Sequence, residues 1–77
     1  MEDLLTTLIA PLVTDIKKID IEKIQEERGI RFIVHIPKDE IAKVIGKEGK
    51  MVKAIKNLMK VRAIKDNVFV NVEVVEA

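Results

Sequence analysis

Val44-Ile45-Gly46-Lys47-Glu48-Gly49-Lys50-Met51-Val52 decides how the rest of the chain is read. Two glycines bracket a charged pair, and an apolar helical pattern runs in on one side and out on the other. A break of four residues joins two short helices with almost no loop between them. It leaves backbone N–H groups exposed at the start of the second helix. Those groups lack intrahelical partners and sit at the positive end of the helix dipole, so the place suits a phosphate.

On the N-terminal side of the break, Asp39-Glu40 place acids in the first turn of a helix, where they complement its dipole. Ile41, Val44 and Ile45 form its apolar edge, and Gly46 stands where a left-handed C-terminal cap is wanted. On the C-terminal side, Met51, Val52, Ala54, Ile55, Leu58 and Met59 read as one apolar stripe. Lys50, Lys53, Lys56 and Lys60 fall on the opposite arc, and Arg62 is expected to snorkel from the apolar side near the helix end.

Further out, Ile30, Phe32, Val34 and Ile36 share one face of a strand that Pro37 stops, and Ile33 on the other face marks that strand as central. Residues 16–24 alternate more loosely, as a half-buried edge strand does, and Gln25-Glu26-Glu27-Arg28-Gly29 reads as the hairpin between the two. Leu4, Leu5, Leu8 and Ile9 predict an amphipathic helix from about Glu2 to Ala10, ended by Pro11. After a turn at Asp66-Asn67, Val68, Val70, Val72 and Val74 are expected inward on a last strand, with Phe69, Asn71 and Glu73 outward. The order α-β-β-α-α-β predicts an α+β domain. Its three-stranded mixed sheet has helices on one face, and the two strands flanking the helical pair lie parallel.

At 77 residues the chain makes one domain with a small core. It has no cysteine, so neither a disulfide framework nor a thiolate metal site is expected. No apolar run approaches the roughly 18 residues of a membrane span. A cytoplasmic protein with no membrane association is expected. The net charge of +1 conceals an asymmetry: residues 41–65 carry eight bases against Glu48 alone. Positive charge is thus gathered around the glycine pair, which points to a polyanion. A lysine-rich helix can also be only a solvated face, and the glycines only a tight helix–helix turn. Serine, cysteine, tyrosine and tryptophan are absent and His35 is the single histidine, so no nucleophile–base pair can be assembled and no enzyme is expected. No metal site or cofactor is expected either.

Val44-Ile45-Gly46-Lys47-Glu48-Gly49-Lys50-Met51-Val52-Lys53-Ala54-Ile55 resembles the V-I-G-x-x-G-x-x-I-x-x-I signature of the KH domain. The order α-β-β-α-α-β resembles its type II, prokaryotic form, and size and the Ala10-Pro11-Leu12-Val13 segment resemble the small bacterial single-KH proteins of the KhpA kind. The resemblance implies a binder of single-stranded RNA, in which the G-x-x-G loop runs along about four nucleotides of sugar-phosphate backbone. By that resemblance Gly46 and Gly49 admit the backbone, Lys47 and Lys50 meet phosphates with Lys43 and Lys53 nearby, and Glu48 is an unusual acid in the loop. Bases would lie over Ile41, Val44, Ile45 and Val52, with Ile33 and His35 of the central strand beside them. Only Phe32 and Phe69 are aromatic, so stacking on aromatic platforms is not the expected mode. The resemblance further implies self-association and pairing with a larger RNA-binding protein that has its own KH-type domain. The alternative function is an assembly subunit that uses the fold mainly for dimerisation, with Ile64 and Phe69 as contact residues.

Overall fold

In a computed structural model, residues 2–77 are described. Helix α1 (Glu2–Ile9) is followed by strands β1 (Asp20–Glu26) and β2 (Gly29–Ile36), helices α2 (Lys38–Ile45) and α3 (Lys50–Lys65), and strand β3 (Phe69–Glu76). The sheet order is β1-β2-β3, so β2 is central as its apolar sequence predicted. β1 pairs antiparallel to β2, with Ile21 opposite Val34 and Glu26 opposite Gly29. β3 pairs parallel to β2 through the α2–α3 crossover, with Phe32 opposite Val72 and Val34 opposite Val74.

All three helices rest on one face of this sheet. Phe32, Val34 and Ile36 of β2 and Val72 of β3 meet Leu5 and Ile9 of α1, Val44 of α2, and Ile55 and Met59 of α3. Most of these side chains are completely buried, and each contributes about 1.5–3 kcal/mol relative to exposure. The other face of the sheet, carrying Ile33, His35 and Glu73, is open. No helix among the described residues is long and apolar enough to cross a membrane.

Three local expectations are corrected. Residues 16–18 form a 3-10 turn rather than the start of a strand, because the Asp15 side chain accepts the Lys17 N–H at 3.0 Å and caps it. Strand β1 therefore begins at Asp20 and runs on through Gln25 and Glu26. Val68 lies outside β3: Asn67 takes a left-handed conformation (φ 58°), its N–H reaches the Ile64 carbonyl, and the Val68 N–H reaches that of Ala63. That is a Schellman ending, which uses Val68 to close α3 before the strand can start.

The third correction concerns α3. Its buried line is Ile55, Met59 and Ala63, with Val52 half-buried. Met51 is 39% exposed and Leu58 51%, and Ala54 is exposed too. The apolar stripe is wider than the ridge that touches the sheet, and none of the described residues covers the remainder. Arg62 behaves as expected for a helix end: its Nε donates to Asp66 Oδ2 at 3.1 Å, one turn on.

Candidate nucleic-acid interface

The site is assembled where α2 hands over to α3. Pro37 precedes α2, and its carbonyl accepts the N–H groups of Glu40 and Ile41. At the other end the Gly46 N–H closes on the Ala42 carbonyl at 2.9 Å, and the chain then turns with φ 74° and ψ 179° at Gly46. This region of backbone space belongs to glycine almost alone. Space demands glycine there as well, since a Cβ on Gly46 would stand 2.6 Å from the Cβ of Met51.

Lys47–Gly49 make one 3-10 turn, closed by the Gly49 N–H on the Gly46 carbonyl. Glu48 (φ 57°) and Gly49 (φ 73°) are both left-handed, and together they redirect the chain into α3. Around Gly49 there is room: a Cβ there would have Val52 Cγ1 at 4.0 Å as its nearest neighbour. No side chain caps the start of α3, and its first turn holds no acid. The positive end of its dipole is therefore supplemented by Lys50 and Lys53 rather than neutralised.

Lys47, Lys50 and Lys53 are exposed, and no carboxylate pairs with them among the described residues. Lys43, the fourth cation proposed from the sequence, is differently placed. Its Nζ donates to Thr14 Oγ1 at 3.3 Å and to Glu40 Oε1 at 3.5 Å. Glu40 itself is buried, 7% exposed, and accepts the Thr14 N–H at 2.7 Å. Hydrogen bonds from Thr14, with the Lys43 charge adding to them, hold its carboxyl below the usual range despite the cost of desolvation. This clasp ties the α1–β1 connection to α2. Reading the acids as helix-dipole partners missed it, because Thr14 is 26 residues away in sequence.

Of the apolar residues expected under bases, Ile41, Ile45 and Val52 are half-buried and reach the surface. Val44 is completely buried, so it supports the groove floor from beneath and offers no surface to a base. Ile33 and His35 are displaced further. The strand's alternation turns them to the open sheet face, away from the helices, where His35 Nε2 lies 3.2 Å from Glu22 Oε1. No group of three metal-ligating side chains occurs among the described residues. Two surface concavities, of about 270 and 190 Å3, flank Phe69 at the far end of α3 and do not include the loop.

The family model for the KhpA/KhpB KH domain matches residues 2–74. The chain belongs to that family. Among its relatives is an RNA-binding protein KhpA of Chlamydia caviae, 36% identical over 76 residues that cover 99% of this chain and 97% of the relative. An RNA-binding protein KhpA of Clostridium acetobutylicum is 32% identical over 75 residues, 97% of this chain and all of the relative. Its fold also matches part of a crystal structure of Aquifex aeolicus Era bound to GDP and aluminium fluoride, with a TM-score of 0.70 at 14% identity. That match covers 96% of this chain but only 29% of Era, and it speaks for the fold alone. Within the KH framework, the glycine turn between α2 and α3 brings Lys47, Glu48 and Lys50 to the surface.

Proposed function

We propose that this KH domain binds single-stranded RNA by running the Gly46–Gly49 turn along the sugar-phosphate backbone, and that it serves as an RNA chaperone. The observation that carries this reading is the turn itself. It has two glycines in positive-φ backbone, an uncapped helix start and lysines at 47, 50 and 53 that pair with no carboxylate among the described residues. Gly46, Lys47, Glu48, Gly49, Lys50 and Lys53 would meet the backbone, and Ile41, Ile45 and Val52 would meet the bases over the floor made by Val44. Lys43 would act through its clasp unless RNA draws it away. The relatives' description as RNA-binding proteins supports the same reading. Binding rests on phosphate contacts and groove packing, so it is weak and tolerant of sequence. Three phosphate contacts give log affinity a slope near −2 against log salt.

Changing Lys47 and Glu48 both to Asp tests the proposal. Titration of labelled single-stranded RNA should show binding lost while circular dichroism shows the fold kept. Unchanged RNA binding would remove the loop mechanism.

Self-association is a second reading with its own support. Met51, Ala54, Leu58 and Val61 recur at steps of three and four along α3, the spacing of a helix-pairing seam. Val61 is 66% exposed, and Met51 and Leu58 are exposed as well. We infer that a second copy, or the KH-type domain of a larger RNA-binding protein, covers this seam. Two coupled copies would compensate for weak binding by each.

A further inference from the structure

We propose that Lys56 and Lys60 of α3, in line with Lys53, form a second phosphate-binding track, which carries the same RNA strand beyond the glycine loop. The inference rests on the loop reading above and extends its footprint.

At about 100° per residue, these three lysines share an arc roughly 60° wide, on the flank of α3 bordering its buried line. Lys50 stands next to the arc at its loop end, so the track is continuous with the proposed backbone contact. Lys53, Lys56 and Lys60 are all exposed, and no acid pairs with any of them among the described residues. In α2 and α3 the contrast is with Lys43 and Arg62, each of which is held by a carboxylate.

The arrangement works against the free helix. Residues 50–65 contain five lysines and an arginine and no acid at all. Lys50–Lys53 and Lys53–Lys56 repel at i,i+3 and Lys56–Lys60 at i,i+4, whereas an exposed helix ordinarily alternates signs at these distances. Lys50 and Lys53 also sit in the first turn, where the dipole disfavours cations. A chain of phosphates relieves both costs at once. From Lys50 to Lys60 the helix rises about 15 Å, enough for backbone to follow past the loop. The seam of Met51, Ala54, Leu58 and Val61 is centred about 150° away around the helix, so a partner there leaves the track open.

The test uses the full chain with uridine oligomers of four, eight and twelve nucleotides. The octamer should bind about tenfold more tightly than the tetramer, with a salt slope steeper by about 1.4, as two added single-strand contacts at Lys56 and Lys60 require. Amide shifts in the tetramer complex should centre on residues 46–53, and the octamer should extend them to residues 56–60. Lys56→Gln and Lys60→Gln together should abolish the gain from four to eight nucleotides; Lys53 is left in place because the tetramer already meets it. That variant should retain tetramer binding within a fewfold, with unchanged circular dichroism. A control with the same change in net charge, Lys17→Gln and Lys18→Gln, should keep the gain. An octamer no tighter than the tetramer, or a track variant that keeps the full gain, overturns the proposal, as does equal loss in the control. If the tetramer leaves the amides of residues 46–52 unmoved, it is the loop reading that fails. The gain with length then reports on the track independently.

Discussion

Gly46 and Met51 approach so closely that no side chain larger than hydrogen fits at position 46: its Cβ would lie 2.6 Å from that of Met51. The two glycines of the turn are thus unequal. Gly46→Ala meets a steric block and a backbone region essentially closed to alanine, which together cost about 3 kcal/mol or more. Gly49→Ala meets open space and only the left-handed penalty of about 1–2 kcal/mol. Urea denaturation of both variants checks the ranking. Equal loss at the two positions would mean that neither the contact with Met51 nor the backbone region at position 46 adds to the cost.

Glu48 is a non-glycine residue held at φ 57°, and it is also the one acid among residues 41–65. Asparagine tolerates the left-handed region better and carries no charge. Glu48→Asn is therefore expected to stabilise the fold by several tenths of a kcal/mol and to tighten RNA binding. The affinity gain should shrink as salt rises, because it is a gain in local potential. Thermal melts, together with RNA titrations at two ionic strengths, check both halves separately.

The turn was legible because each of its features is local: two glycines, flanking apolar residues and a cluster of bases within a short span. The order of elements followed for the same reason, from periodicities contained within single segments. What escaped was set by neighbours. The apolar residues of α3 look alike in sequence, but the sheet accepts the ridge of Ile55, Met59 and Ala63 and leaves Met51 and Leu58 outside. Ile33 and His35 belong to the central strand, yet alternation directs them to the face without helices. The Glu40–Thr14–Lys43 clasp joins segments distant in sequence, and no local pattern announces it.

That clasp makes stability depend on pH in acid. Glu40 ionises more readily in the folded protein than its ordinary value of 4.5. Its carboxylate therefore adds stability that is fully present well above pH 4.5 and is lost as pH falls through the lower folded-state value. Glu40→Gln retains an acceptor for the Thr14 N–H but gives up the charge that Lys43 meets. The variant should be less stable than the native chain at pH 7, and the difference should narrow steadily as the pH is lowered toward 3. Urea midpoints for both proteins across that range are the check. A difference independent of pH would show that the carboxylate's charge contributes nothing.

Leu58 and Val61 form the C-terminal half of the uncovered seam on α3, and neither supports the core. Replacing an exposed residue away from core and caps changes stability by only about 0.5 kcal/mol. A charge at a desolvated helix–helix contact costs several times that, since the group would be buried without a partner. Leu58→Glu and Val61→Asp should each leave the monomer's melting and circular dichroism nearly unchanged while shifting sedimentation from dimer to monomer. RNA affinity per site should hold for a tetranucleotide, because the loop lies outside the seam. Affinity for longer RNA should fall, because two sites no longer act on one strand. A native chain that sediments as a monomer at micromolar concentration would leave the seam to a different KH-type partner, and the same two variants would then be read out on that heterodimer.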